Sequence, residues 1–451
     1  MPGNTNLPAL TAASSPADAP APEVLSLAQD GHGVVRCDGK VVFVEGALPG
    51  ETVEFQRWRR KPNYDLANLT HVVRESSARV APRCRHYERC GGCSLQHLDP
   101  RAQVAMKQRT LEDNLARIGK VQPEILLAPI HGPYWGYRQR ARLSARRVPG
   151  KGGALVGFRE RRAHLVVDMD SCEVLPPRLS ALIPALRELV SGLAIGNRIP
   201  QIEVAVGENA AALLMRVLDP PGDADLAQLR AFSLRHDLDV YLQPAGPDSV
   251  RPLDPANVRP LTYRLPEFDL TLRFEPNEFT QVNFDVNRVL VRRAVALLDP
   301  RPDLRVADLF CGVGNFSLAI ARRGAWVEGV DAGAELLTRA GENADRNRLA
   351  HRVRFLAADL IGAPAAALTR LGRIDRMLLD PPRDGAAALV QALGANGPER
   401  IVYVSCNPAT LARDAGMLVH DKGYRLSAAG IVNMFPHTSH VESIALFARP
   451  Q

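Results

Sequence analysis

No stretch of the 451 residues approaches the ~20 uninterrupted apolar residues that a membrane-spanning helix requires. The opening segment, MPGNTNLPALTAASSPADAPAP, has neither a basic start nor an apolar stretch long enough for a secretion signal. Its Pro, Ala and Ser content reads as a disordered tail over residues 1–22. No internal repeat is visible. Cysteines are few and odd in number: Cys37, Cys84, Cys90, Cys93, Cys172, Cys311 and Cys406. An odd set without a secretion signal argues against a disulfide framework, and clustered cysteines in a reducing compartment more often bind metal or do chemistry. Together these absences exclude membrane and secreted classes and predict residence in the cytoplasm.

What is present is an ordinary globular composition, 46% hydrophobic and 23% charged. Its length predicts two or three domains. The net charge of +7 is unevenly placed. Between Gly136 and Arg162 stand Arg138, Arg140, Arg142, Arg146, Arg147, Lys151, Arg159, Arg161 and Arg162, opposed only by Glu160. Tyr134, Trp135 and Tyr137 adjoin them, and a second group, Arg57, Arg59, Arg60 and Lys61, surrounds Trp58. Solvated basic faces are common, but charge concentrated beside aromatics points to a polyanion surface, most simply RNA.

Residues 23–80 read as short strands. VVRC and KVVFVEG flank Asp38-Gly39, a pair suited to a two-residue hairpin, and Pro49-Gly50 marks another turn. Several short strands in so few residues predict a small β-barrel of an oligonucleotide-binding kind. Asp99-Pro100 then predicts a helix start, with Leu111, Leu115 and Ile118 on one face and Gly119 closing it. Residues 81–274 mix strands with a helix over 179–193 and read as an α+β middle domain. From about residue 275 the pattern becomes strand, turn and helix repeated: RVADLF, AWVEGVD, VRFLAAD, IDRMLLD and RIVYVSC. That alternation predicts a doubly wound, Rossmann-like α/β sheet with ligands beyond the carboxyl ends of its strands.

Gly312 and Gly314 lie in the first of those turns, and Asp331 ends the next strand, 19 residues after Gly312. A carboxylate at that distance suits a ribose diol. Ser occupies position 317, where a third glycine would complete G-x-G-x-x-G, so the turn suits a mononucleoside such as S-adenosylmethionine better than a dinucleotide. Asp308, Asp331, Asp359 and Asp380 all fall at strand ends; any one alone is as readily a helix cap. Cys406 follows RIVYVS on the rim, between Ser405 and Asn407, which favours a nucleophile over a buried structural thiol. His437, His440 and Glu442 form a polar cluster better suited to acid–base work than to zinc. Cys84, Cys90 and Cys93, spaced C-x5-C-x2-C with Cys172 as a distant fourth, favour a [4Fe–4S] cluster over zinc. Cys37 and Cys311 read as structural.

At this point LFCGVGNFS, LLDPPR, YVSCNPATLARD and FPHTSHVES together resemble the RNA uracil-C5 methyltransferases. The C-x5-CGGC segment and the barrel, which is similar to a TRAM domain, resemble the bacterial branch that makes 5-methyluridine in 23S ribosomal RNA. The likeness covers nearly everything after residue 23. It implies Cys406 as nucleophile, Glu442 as base, and Cys84, Cys90, Cys93 and Cys172 as cluster ligands. It also implies cofactor contacts from Gln281, Phe310, Asn315, Asp331, Asp359 and Asp380. Some members carry Glu at the position of Asp331 and Asn at that of Asp359, each of which keeps an acceptor. The expected molecule is thus a barrel at 23–80, a cluster-bearing middle domain with a basic surface at 81–274, and an S-adenosylmethionine-dependent methyltransferase domain at 275–451. It would act on large-subunit rRNA as a monomer without stable protein partners; tRNA is the alternative substrate. Two other classes compete. A radical enzyme would use a cluster with three cysteines, whereas Cys172 supplies a fourth. A non-catalytic RNA-binding module leaves Cys406 and Glu442 unexplained.

Overall fold

A computed structural model describes residues 21–450. Most of the expected tail at 1–22 lies outside the described residues.

Residues up to Arg79 form one compact unit, and Val80–Gln451 another. In the first, β1 (Ser26–Leu27), β2 (Gly33–Cys37), β3 (Lys40–Glu45), β4 (Thr52–Arg60) and β5 (Tyr64–Arg74) make a sheet ordered β1-β2-β3-β5-β4. Asp38 and Gly39 both take positive φ, 53° and 72°, as the two-residue hairpin requires. Residues 22–24 pair with 51–53, and this joins the start of the sheet to β4. Val35, Val42, Val44, Val53 and Ala67 fill the interior, the alternate residues of strands whose other face is wet. The expected small closed β unit is there.

The second unit opens with the cysteine loop and then α1 (Pro100–Asn114). Asp99 caps α1 by accepting from Arg101 N and Ala102 N. Leu111 and Leu115 are buried as expected, but Ile118 is exposed. Gly119 differs from its expected role as an ordinary helix stop. A Cβ there would lie 2.4 Å from Ala412 O, so glycine lets the turn after α1 press against the helix Pro408–His420.

A six-stranded sheet follows, built from β7 (Arg140–Val148), β8 (Gly153–Gly157), β9 (Gln201–Val206), β10 (Ala211–Arg216), β11 (Asp239–Gln243) and β12 (Arg251–Pro252) in the order β12-β11-β10-β9-β7-β8. The amphipathic helix Leu182–Gly192 covers it with Leu182, Ile183, Leu186 and Val190. The hairpin β13 (Leu261–Leu265) and β14 (Leu270–Phe274) comes next. Its Tyr263 and Phe274 share one core with Leu214 and Tyr241 of the six-stranded sheet and with Phe284 and Leu290 beyond it.

The last sheet has eight strands. β15 (Arg305–Leu309), β16 (Trp326–Asp331), β17 (Val353–Ala357), β18 (Arg376–Leu379) and β19 (Arg400–Ser405) run parallel. β20 (Arg425–Val432) and β21 (Glu442–Ala448) follow, and the full order is β17-β16-β15-β18-β19-β21-β20-β6, with β6 at Ile125–Leu126. The five parallel strands match the predicted apolar runs. The antiparallel β21, lodged between β19 and β20, departs from a purely parallel sheet. The short β6, from residues before the middle sheet, extends the edge beside β20. No helix among the described residues is long and apolar enough to cross a membrane.

Candidate active site

The polar residues gather where the parallel strands end. After β15 the chain turns on Phe310, Gly312 and Gly314, all with positive φ (66°, 54° and 92°), before the helix Ser317–Ala321. A Cβ on Gly312 would meet nothing within 4 Å, so backbone there faces open space. Asp331 braces the turn: Oδ2 accepts from Gly312 N (3.1 Å) and Oδ1 from Gly333 N (3.0 Å). Each oxygen keeps a lone pair, as a ribose diol would need. Gln281 is buried nearby in sequence to Asn283, which caps the helix Phe284–Leu298.

Other expected cofactor residues are engaged within the protein. Asn315 exchanges amide hydrogen bonds with Asn287 (2.9 and 3.0 Å) and accepts from Tyr263 OH (3.0 Å). Asp359 is exposed, and its Oδ1 accepts from Ile361 N (3.0 Å) and Gly362 N (2.7 Å), closing a turn ahead of the helix Pro364–Leu371 rather than capping it. Asp308 is sealed inside β15 and accepts from Ser317 Oγ; burial pushes its carboxyl up to about 7. Burial, together with Asp308, likewise holds the Asp380 carboxyl up at about 7.

The nucleophile candidate and the base candidate meet through strand register. Ser405 of β19 pairs with Ser443 of β21, so Cys406 and Glu442, each one residue further, lie at the same end of neighbouring strands. Arg383 O accepts from Asn407 Nδ2 and Thr410 Oγ1, both at 3.2 Å, tying the turn after β18 to the Cys406 loop. Cys406 is half-buried, and its thiol is raised to about 11 by burial and by Glu442 and Asp380, with Arg383 pulling the other way. Glu442 is buried, Oε2 has no hydrogen-bond partner, and burial raises its carboxyl to about 8, with Asp380 adding and Lys107 opposing. An unpartnered buried carboxyl oxygen is costly unless something else is meant to meet it.

The loop between β20 and β21 is held from far away in the chain. Two residues one turn apart on α1 do this, both fully buried. Gln103 Oε1 accepts from His437 N (2.8 Å), and its Nε2 reaches Leu95 O, Leu98 O and His437 Nδ1. Lys107 Nζ donates to Asn433 Oδ1 and Phe435 O, both 2.8 Å. Ser94 N and Leu95 N, just after Cys93, donate to His437 O (2.9 Å), and Ser439 N donates to Ser94 Oγ (2.9 Å). Tyr137 OH donates to Pro436 O (2.9 Å), and Trp135 stacks on His437 with centroids 3.8 Å apart.

These contacts correct two sequence expectations. His437, at φ 65°, is a buried brace, and burial and Lys107 hold it neutral by lowering its pKa to about 4. His440 is lowered to about 4 as well, chiefly by burial, and stands 3.9 Å from Glu442. Trp135 and Tyr137 support the loop between β20 and β21 rather than flanking a polyanion face. Part of the basic run also turns inward: Arg140 serves Pro276 O and Glu203, and Arg161 binds the carbonyls of Tyr87, Cys90 and Cys93. Arg142, Arg146, Arg147 and Lys151 remain exposed. The sequence reading missed Gln103, Lys107 and Asn287; polar residues on a helix face otherwise bearing Leu111 and Leu115 were the available signal for the first two.

Cys84, Cys90, Cys93 and Cys172 line one cavity of about 280 Å³, with Gly91, Gly92, Phe158 and Met169 around them. Burial and the neighbouring thiols push Cys93 up to about 12; Cys172 rises to about 11, chiefly through burial. Four such thiols in one enclosure are stable as thiolates only against a positive charge. Among the described residues, no three His, Cys, Asp or Glu side chains form a ready-made site for a single metal ion.

A doubly wound sheet with a glycine turn, a carboxylate at the next strand end, and a thiol and carboxyl at one strand end suits a nucleoside-dependent methyltransferase. Residues 101–450 match the model of the tRNA (uracil-5-)-methyltransferase family, and the chain belongs to that family. It is an S-adenosylmethionine-dependent RNA uracil-C5 methyltransferase. It is 57% identical to the 23S rRNA (uracil(1939)-C(5))-methyltransferase RlmD of Aromatoleum aromaticum, across 95% of this chain and 100% of that one. To the enzyme of the same name from Azoarcus sp. it is 58% identical, across 96% and 100%. The crystal structure of Pyrococcus abyssi tRNA (uracil-54, C5)-methyltransferase with S-adenosyl-L-homocysteine superposes with a TM-score of 0.72 at 25% identity, covering 94% of this chain and 99% of that one.

Proposed function

We propose that this enzyme methylates C5 of one uridine in 23S ribosomal RNA, the position corresponding to uracil 1939, in the cytoplasm. The observation that carries the chemistry is the pairing of Cys406 with Glu442 across β19 and β21. The rRNA assignment rests on relatives so named that align from end to end. C5 of uracil is too weak a nucleophile to take a methyl group directly. Cys406, as thiolate, adds to C6, and the electron pair of the C5–C6 bond moves into the ring as an enolate. S-adenosylmethionine, which the Gly312–Gly314 turn and Asp331 would hold, would supply an electrophilic methyl to C5 and be left as S-adenosylhomocysteine. Gln281, Phe310, Asn315, Asp359 and Asp380 are the further residues assigned to the cofactor in this reading. Once C5 carries both methyl and hydrogen, Glu442 takes the proton, the C5=C6 bond re-forms and the thiolate leaves. The uridine must be flipped from its stack to reach both groups.

Cys84, Cys90, Cys93 and Cys172 hold a [4Fe–4S] cluster in this reading. The support is a shared enclosure for four thiols, large enough for a polynuclear centre. Its part is structural: it ties Cys172 of the middle region to the loop that carries Ser94 and Leu95. Anaerobically purified protein should be brown with about four iron per chain; stoichiometric zinc without sulfide would refute this. The small β unit at 23–80 reads as a TRAM-like RNA-binding module, and 81–274 and 275–451 as the cluster-bearing and methyltransferase regions of a monomer. RNA containing 5-fluorouridine tests the mechanism. Fluorine at C5 cannot leave as a proton, so the enzyme should be trapped as a methylated covalent complex on a denaturing gel. Absence of 5-methyluridine at one 23S position in a strain lacking the gene tests the substrate; loss from tRNA instead would overturn the rRNA assignment.

A further inference from the structure

Lys107 has no part in the chemistry above, yet it lies at 0% exposure on the inner face of α1. It is one of only six lysines (40, 61, 107, 120, 151 and 422) in a chain with 56 basic residues. Its hydrogen-bond partners, Asn433 Oδ1 and Phe435 O, are both neutral. Two neutral acceptors satisfy donors but do not balance a buried charge. The register supplies the missing partner. Val432 of β20 pairs with Glu442 of β21, so Lys107 grips the residue next to the cross-strand neighbour of Glu442. The groups facing Glu442 are Asp380, Lys107, Cys406 and His440. Those facing Lys107 are Glu442 and two imidazoles, His437 and His440, held neutral. Lys107 is the cation that Glu442 feels, set against Asp380.

We propose that Lys107 is the positioning residue of the general base. Its ammonium seats the Asn433–Phe435 turn beside Glu442 and eases ionisation of that carboxyl, so that the base can take the proton when the methylated adduct arrives. This rests on Glu442 being the base. Burial raises Glu442 to about 8 even with Lys107 opposing, and burial lowers Lys107 to about 7 while Glu442 opposes that fall. The two charges therefore act on each other, and removing either shifts the other.

The charge coupling can be read without catalysis. Lysine labelled with 13C at the ε carbon gives at most six signals, of which the enclosed Lys107 should titrate lowest. In Glu442→Gln its midpoint should fall by at least about one pH unit, because the countercharge is gone. An unchanged midpoint overturns the proposal. In turnover, Lys107→Gln and Lys107→Met should still be trapped by 5-fluorouridine RNA within about threefold of the wild-type rate. Release of ordinary product should slow by about tenfold or more, with its acid limb displaced to higher pH. Trapping and turnover falling in parallel, with the limb unmoved, would make Lys107 a packing residue only and also overturn the proposal. Should the lysine variants fail to fold, the wild-type and Glu442→Gln titrations decide. Rapid turnover by Glu442→Gln would instead sink the base assignment and leave the coupling measurement standing.

Discussion

The cofactor side of the site and the catalytic side are assembled over different lengths of chain. Gly312, Gly314 and Asp331 come from one strand–turn–helix–strand passage, and the contacts joining them span 19 residues. The loop between β20 and β21, beside the proposed base, is fastened by Gln103 to His437 across 334 residues, by Lys107 to Asn433 across 326, and by Ser94 to Ser439 across 345. A local site inherits its shape from backbone conformation, and a change there alters affinity. A distant one depends on the packing of separate elements, so a change there alters geometry and stability together.

The largest effect should come from Cys406→Ala. It should abolish the covalent RNA complex and lower turnover on the order of 10⁴-fold, as loss of a nucleophile does. Cofactor affinity measured by calorimetry should stay unchanged; a concurrent loss would mean the two halves are not separable. A trapped complex in this variant would move the nucleophile elsewhere. Asp331→Ala probes the local half. Cofactor Kd should rise by about ten- to a hundredfold, with turnover largely restored at saturating cofactor. Turnover that stays low at saturation would contradict a binding role.

Gln103→Ala probes the distant half. It removes every side-chain link between α1 and His437, and should cost about 2–3 kcal/mol in urea unfolding together with a lower kcat. Cofactor affinity should hold, and a selective rise in cofactor Kd would break the division. Glu442→Gln carries a pH signature. Burial raises the folded carboxyl from 4.5 to about 8, so the group favours folding below its unfolded value and loses that contribution as pH rises toward 8. The variant should therefore melt about 2–4 °C above wild type at pH 9 and close to it at pH 5; equal differences at both would remove the shift. The smallest effect separates two kinds of arginine. Replacing the exposed Arg146 and Arg147 by alanine should flatten the salt dependence of RNA binding, by roughly 1.5 in log–log slope. Arg140→Ala should change stability with little change in slope.

The difference between the halves also explains which parts were legible in the sequence. The five parallel strands, the Gly312–Gly314 turn, Asp331 and the Asp38-Gly39 hairpin all declare themselves through near neighbours in the chain. The place of Cys406 at a strand end was legible because it follows a strand in such a series. Gln103 and Lys107 were not, since their partners lie more than 300 residues away and their own helix looks amphipathic without them. Arg140 and Arg161 were read as surface because charge count carries no direction. His437 and Trp135 looked like chemistry and RNA contact because composition cannot tell a stacked brace from a free imidazole. Gly119 signalled a helix end, whereas its missing side chain lets α1 meet the helix behind Cys406.

The place of β21 in the sheet has a consequence for synthesis on the ribosome. It is the last strand in chain order, yet it lies between β19 and β20. A nascent chain that has emerged only as far as β20 has Cys406 in place but no strand to join β20 to β19. It also lacks Glu442. Insertion of this one strand closes the sheet and delivers the proposed base in the same event. A ribosome-bound chain, or one truncated before residue 442, should therefore hold a thiol and a cofactor fold yet release no methylated product. On the proposed mechanism, folding to completion and competence to turn over are one transition.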